Sequence, residues 1–467
     1  MRLVFEWGRA PFRATCQLAA RTNGNVREII GLREDIGKDR ISMKNSESDR
    51  RDEEVVAREF SRRAFLAKAG AAGLVVAGGG ALTSALSGAP ASATTKVPLL
   101  VKRPSSVVGS LPKALQQYYE LATTTPLGPS LFHNWKPKRK PPWKIGFASS
   151  FAGNSWRIGT LTRLNNYLIP AYKKAGLISE VITLQSNLSI PVQIQQIRQL
   201  VSEGCDAIFT IAAPATSLND AIKYAYDNGV LFVVQQGGVT SPYTQQVSGN
   251  YALCGKLQAT SLAKSMGGKG NVLIVQGIPQ TEASADFQRG HEVGLGSHRG
   301  IKVVGVVAGT WVDSVAKTAV LEFLTTHPTP LGGIATQSPG DLGSLQALQA
   351  AGRPVVPMTI GGEMGPLVYW KDHPSWIESM YQAWPPGDEM QECWEVMMRT
   401  MEGQGPKIAS ILIGAAAVYH KDLASLLPAN TSVTSNQWIE PPQSTWFPST
   451  TMDLYFSHPA DPLTWRP

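Results

Sequence analysis

KIGFASSFAGNSWRIG, residues 144–159, couples a short apolar run to a polar loop and then to the start of a helix. Ile145, Phe147 and Ala148 read as strand, Gly153 to Ser155 as a turn, and Trp156 and Arg157 as the first helical residues. Asn154 or Ser155 supplies the cap that such a helix start requires. Leu161, Leu164, Leu168 and Ala171 then recur at three- and four-residue spacing, one face of a helix. A strand passing through a polar loop into a helix is the building unit of a parallel sheet.

The unit repeats. KIGFAS, EVITLQ, DAIFTIA and VLFVVQ are followed by NVLIVQ, KVVGVVA, GGIATQ, VVPMTI and ESMYQA, with helical periods between them. Near-continuous apolar runs of this kind are strands covered on both faces. The series breaks after VLFVVQQGGVTSPYTQQV and reopens at Asn271, which predicts an α/β fold of two similar lobes with parallel sheets. Residues 94–142 read as a Pro-rich leader and 426–467 as a tail wrapping the outside of a lobe. In GDEMQECWEVMMRTMEG, Met390, Cys393, Trp394, Met397, Met398 and Met401 share one face, a stripe that reads as lobe core.

At 467 residues with 43% hydrophobic and 17% charged residues, the chain is long enough for two cores. The net charge of +8 is spread thinly: residues 1–93 carry 15 Lys/Arg against 11 Asp/Glu, and the rest 28 against 24. With no basic stripe, a nucleic-acid partner is not indicated. Beyond the N-terminal region Cys205, Cys254 and Cys393 form an odd set without CxxC spacing, which reads as buried thiols.

SRRAFLAKAGAAGLVVAGGGALTSALSGAPASA places Arg62 and Arg63 before a weakly apolar Ala/Gly stretch and a small-residue cleavage site at residues 91–93. This pattern resembles a twin-arginine export signal, residues 43–93, with Met43 as the expected start and 1–42 as an over-extended N-terminus. Lys68 interrupts the apolar stretch, which argues against a membrane anchor, and no cysteine follows it to carry a lipid. The expected location is outside the cytoplasmic membrane, in the periplasm or cell envelope.

Chemistry of turnover is missing from the motifs. SSFAGNSW has one glycine and no GxGxxG, GGKG at 267–270 precedes a strand instead of following one, and GNYALCGKL lacks the Ser/Thr of a phosphate loop. There is no GxSxG, no HExxH and no paired His, so neither a metal nor another cofactor is expected. Binding without turnover is the leading class, and an α/β enzyme with an unfamiliar site is the distant one.

Open α/β sheets bind ligands at the carboxyl ends of their strands. The residues standing there are Ser149, Asn154, Ser155, Trp156, Arg157, Gln235, Gln236, Trp311, Asp313, Gln337, Ser338, Glu363, Gln382 and Trp384. Amides and hydroxyls match the rim of a sugar or polyol, and the indoles of Trp156, Trp311 and Trp384 match its C–H faces.

IGFASSFAGNSWR, GCDAIFTIAAPATSLNDAIKYAYDNGVLFVV, SGNYALCGKLQATSLA, VLIVQGIP with QRG, and LGSLQALQAAGR occur in that order. Together they make residues 144 to about 425 resemble the sugar-binding, ribose-binding-protein-like class of periplasmic binding proteins, whose fold LacI-type repressor cores share. The resemblance implies a type I periplasmic-binding-protein fold: a monomer with two Rossmann-like lobes joined by a hinge of three crossovers, which closes on a small-molecule sugar or polyol and delivers it to an ABC permease. On that fold the expected boundaries are 143–245 plus about 384–408 for the first lobe and 246–383 plus about 409–425 for the second. It implies ligand contacts by Asn154, Ser155 and Trp156, an aromatic platform at Trp311, an acidic position at Glu363 and a hinge glutamine at Gln382. Gln235 and Gln236 stand where the family often has an Asp-Arg pair, and Asp286 and Phe287 lie near the place of a ligand-binding arginine. Loss of these charged clamps points away from a simple pentose, toward another polyol or a more apolar solute. An extracellular sensor presenting ligand to a membrane receptor is the alternative. A repressor is disfavoured because an export signal, and no helix-turn-helix, precedes the lobes.

Overall fold

The computed structural model describes residues 106–460 except 124, 213, 280, 382–383 and 441–446. The export signal, the start at Met43 and the hinge glutamine Gln382 lie outside the described residues.

The strands in chain order are β1 (Trp143–Ser149), β2 (Ile178–Gln185), β3 (Ala207–Ile211), β4 (Leu231–Gln235), β5 (Gln245–Gly249), β6 (Lys269–Gln276), β7 (Gly300–Ala308), β8 (Gly333–Thr336), β9 (Met380–Tyr381), β10 (Ser410–Ile413) and β11 (Ala417–Val418). The longer helices are α1 (Ser155–Arg163), α2 (Ile190–Ser202), α3 (Asn219–Asp227), α4 (Tyr251–Ser265), α5 (Glu282–Gly296), α6 (Asp313–Thr326), α7 (Asp341–Ala350), α8 (Met364–Asp372) and α9 (Pro386–Met401).

A six-stranded sheet ordered β10-β5-β4-β3-β1-β2 forms the first lobe, and a three-stranded sheet ordered β7-β6-β8 forms the second. Every pairing in both is parallel. β3 and β4 are buried along their whole length, as central strands must be, whereas β2 and β7 are edges with exposed positions. The VVPMTI run extends the second sheet only through a single bridge from Met358 to Ile334. ESMYQA contributes the two-residue β9, which pairs antiparallel with β11.

In the first sheet the strand order reverses between β1 and β3, and in the second between β6 and β8. Those switch points open a crevice at the carboxyl ends of the strands. The chain passes between the sheets after β5, between β9 and α9, and between β10 and β11. β10 corrects the expected boundary: Ser410–Ile413 pairs with β5 and so belongs to the first sheet. The Met-rich face of α9 packs into the first-lobe core, where Met390, Cys393, Trp394, Met397, Met398 and Met401 are all buried. Cys205, Cys254 and Cys393 are all buried.

The two ends of the described chain behave differently from a solvated linker and an outer wrapping. In the leader, Val108, Leu111, Leu115, Tyr119 and Phe132 join the first-lobe core, and the Tyr119 hydroxyl donates to the Ser410 carbonyl at 2.9 Å. Glu120 pairs with Lys256 of α4 at 2.5 Å. The C-terminal segment first lies on the second lobe, where the N–H of Met364 donates to the Gln437 carbonyl (2.7 Å) and that of Ile439 to the Gly362 carbonyl (3.0 Å). It then returns to the first lobe, burying Phe447, Met452, Tyr455 and Phe456 there. No helix among the described residues is long and apolar enough to cross a membrane.

Candidate functional site

Asn154 starts α1 in extended backbone, and its Oδ1 accepts the N–H of Arg157 at 2.9 Å. Such a cap is worth about 1 kcal/mol and aims the first turn of the helix at the crevice. Trp156 and Arg157 on that turn line a cavity of about 370 Å³ together with Asn154 and Gln236. Ala283, Phe287, Trp311, Ser338 and Pro339 of the second lobe close it from the other side, with Tyr251 at the start of α4. An adjoining cavity of about 330 Å³ shares Arg157, Gln236, Ala283 and Trp311 and adds Phe151 and Leu188.

Backbone strain marks the same walls. Gln236 has φ of 57° and Trp311 of 58°, a left-handed conformation that costs a residue with a Cβ about 1–2 kcal/mol. Strain of this kind gathers where the structure must aim a side chain. At Trp311 it turns the indole onto the bare Cα of Gly277, where an added Cβ would overlap the ring.

Of the residues singled out from sequence, Asn154, Trp156, Arg157, Gln236, Trp311 and Ser338 come together around the cavity. Ser155 and Glu363 meet beside it: the Ser155 hydroxyl donates to Glu363 Oε1 at 3.5 Å, bridging the lobes. Glu363 is fully buried and its Oε2 accepts the N–H groups of Gly340 and Leu342 at 3.3 Å each. Burial, with the charges of Asp313 and Asp341 beside it, holds this carboxyl well above the usual range. Ser338 donates to Asp341, whose carboxyl also accepts the N–H of Gly361 at 2.8 Å, fixing the loop after β8. Burial pushes Asp341 up to about 6.

Ser149, Gln235 and Trp384 stand elsewhere. The Ser149 hydroxyl donates to the Phe151 carbonyl at 3.2 Å and shapes the loop before α1. Gln235 is fully buried in the sheet, its amide without a hydrogen-bond partner among the described residues. Trp384, 3% exposed, belongs to the hinge: it accepts the Trp156 indole N–H on its carbonyl at 3.0 Å and donates its own to the Gly414 carbonyl at 3.2 Å. Tyr251 and Phe287 line the cavity without having been singled out as ligand contacts. Tyr251 lies inside SGNYALCGKLQATSLA just past β5, the point where a chain leaving one sheet for another must skirt the crevice, and that position was its available signal.

His, Cys, Asp and Glu side chains form no group suited to a metal ion among the described residues. The site offers N–H and O–H donors, an amide and flat aromatic walls, an arrangement for holding a polar molecule.

Comparison with known proteins gives a consistent result. The model of the periplasmic binding protein domain matches residues 145–405. The xylitol-binding protein of Mycolicibacterium smegmatis is 26% identical over 189 residues, 40% of this chain and 54% of that protein. The galactofuranose-binding protein of Escherichia coli is 24% identical over 219 residues, 45% of this chain and 67% of that protein. The chain thus spans about half the length of the first of these relatives and two thirds of the second. Among solved structures, an ABC transporter solute binding protein from Thermobispora bispora superposes with a TM-score of 0.57 at 22% identity, covering 64% of this chain and 92% of that one.

Proposed function

The chain belongs to the periplasmic binding protein domain family, and from that premise we propose that it is an exported solute-binding protein that captures a sugar or polyol between its lobes and delivers it to an ABC importer. The observation that carries this reading is the pairing of walls: Trp156, Arg157 and Gln236 from one sheet face Phe287, Trp311 and Ser338 from the other across one cavity. A ligand touching both walls favours the closed arrangement by its differential affinity, and a permease reads the closed form. The xylitol- and galactofuranose-binding relatives support a polyhydroxylated ligand. The amide of Gln236 and the hydroxyl of Ser338 supply hydrogen bonds, and the indoles supply apolar faces.

Export runs through the twin-arginine route, with Arg62 and Arg63 as the recognised pair and the mature protein working as a monomer. Replacing both arginines by lysine is expected to leave the protein in the cytoplasm; unchanged secretion would refute that route.

The binding reading is tested by thermal melting of the purified protein with pentoses, hexoses, pentitols, hexitols, cyclic polyols and the corresponding sugar acids. A ligand at 100 times its dissociation constant raises stability by about 2.7 kcal/mol, a readily measured shift. Absence of a shift across all these classes would contradict the reading.

A further inference from the structure

The cavity holds an unbalanced set of donors. Arg157 is only 8% exposed, and its Nη1 is buried without a hydrogen-bond partner among the described residues. Trp311, on the opposite lobe, likewise has its Nε1 buried without a partner. Both side chains line the main cavity and the adjoining one. No Asp or Glu is among the residues lining either cavity, and Arg157 enters no ion pair among the described residues. A buried guanidinium with no ion-pair partner and an unsatisfied N–H is costly, and a carboxylate accepting from it relieves more of that cost than a hydroxyl does.

The nearest acidic group, Glu389, interacts with Arg157 through space, but it forms no ion pair with it among the described residues and lines neither cavity. Glu389 on α9 lies behind Tyr251, with its Oε1 3.5 Å from the Tyr251 hydroxyl, and burial pushes it up to about 8. Burial also pushes Asp388 to about 7 and Glu392 well above the usual range. On the second lobe Asp286 is already paired with Arg289 at 2.7 Å, and Glu363 is held toward its neutral form. Arg157, lowered by burial to about 10, keeps its proton at neutral pH.

We infer that the solute is acidic, a sugar acid or polyol acid whose carboxylate is held by Arg157 and the Trp311 indole N–H while its hydroxyls face Gln236 and Ser338. The inference rests on the binding function proposed above and names its substrate class. A guanidinium fork matches the two oxygens of a carboxylate, and a charge-assisted bond of this kind is worth about 1.5–3 kcal/mol, roughly 10- to 100-fold in affinity. A sugar phosphate shares the anionic chemistry and is separated from the carboxylate by experiment.

The test is calorimetric titration of the purified protein with gluconate, xylonate and glucuronate, beside their neutral counterparts glucitol, xylitol and glucose, and glucose 6-phosphate. At least one carboxylate is expected to bind about tenfold or more tightly than its neutral counterpart. R157Q is expected to erase that preference, R157K to retain part of it, and the melting temperature of R157K to show that the fold survives. A neutral polyol bound as tightly as its acid, or discrimination unchanged in R157Q, would overturn the inference while leaving the binding function standing. Preference for the phosphate ester would overturn the carboxylate assignment. Binding of none of these compounds would remove the proposed function and the inference together.

Discussion

The indole N–H of Trp384 donates to the carbonyl of Gly414 at 3.2 Å, joining two of the three chain crossings between the lobes. The same ring lies on the bare Cα of Gly249, at the remaining crossing. One side chain thus holds all three strands of the hinge, and the Trp156 N–H bonded to its carbonyl connects the hinge to the cavity wall. A methyl at Gly249 would overlap the indole. Gly249→Ala is therefore expected to destabilise the protein by about 1–3 kcal/mol, the usual cost of overpacking. Urea denaturation measures it, and an unchanged midpoint would show that the hinge does not depend on this contact.

Gly277 supports Trp311 in the same way. Gly277→Ala keeps every ligand-facing side chain but displaces the indole from the cavity, so it is expected to weaken ligand binding by about tenfold or more. Titration of wild type and variant with the ligand found by thermal melting decides this, and equal affinities would remove Trp311 from the site.

The C-terminal segment touches both lobes. Trp438 donates its indole N–H to Ser155 Oγ at 3.2 Å, and Glu440 accepts the Gly387 N–H at 3.0 Å and sits 3.7 Å from Arg163. Further on, Tyr455 and Phe456 are essentially fully buried in the first-lobe core. Each large apolar side chain contributes about 1.5–3 kcal/mol on burial, against a net stability of about 5–15 kcal/mol for a typical protein. A chain ending at residue 436 also loses Phe447 and Met452, and is expected not to unfold cooperatively in a calorimetric scan. A sharp native-like transition in that truncation would contradict the assignment of this segment to the core.

Stability is expected to fall as pH rises from about 5 to about 8. Burial pushes Glu389 up to about 8, Asp388 to about 7 and Asp341 to about 6 in the folded chain, against about 4 when unfolded. The folded state therefore holds protons that the unfolded state has lost, and the stability they supply, complete below about pH 4, is lost as pH rises through the folded values. His291, lowered by burial to about 4, works in the opposite sense and takes stability away as pH falls below its ordinary value of about 6.5. Melting temperatures at pH 5.5 and 8 check the sign, and Glu389→Gln is expected to flatten the slope. A melting temperature that rises with pH would contradict it.

The strands and the lobes were legible because central parallel strands are apolar along their whole length, as in DAIFTIA and VLFVVQ. The loop after β1 was legible for a related reason: a helix start needs a cap, and a capped first turn at a strand end faces the crevice. Trp384 was not assignable in this way. Its sequence position, after a strand and two residues past Gln382, is that of a ligand contact, and only the packing of its ring on Gly249 reveals a hinge residue. The leader and tail misled for a different reason. Pro-rich segments have no periodicity, so burial of Phe132 or Tyr455 against a distant sheet leaves no local pattern to read.

The measurement that tests the account most directly is a calorimetric titration of wild type and Trp311→Ala against the panel of neutral and acidic polyols and sugars, with recovery of the bound compound. Saturable one-to-one binding of a polyhydroxylated solute, recovered chemically unchanged, is expected, with an affinity about tenfold or more weaker in the variant. A compound returned chemically altered, or bound equally well without the indole, would contradict a two-walled binding site.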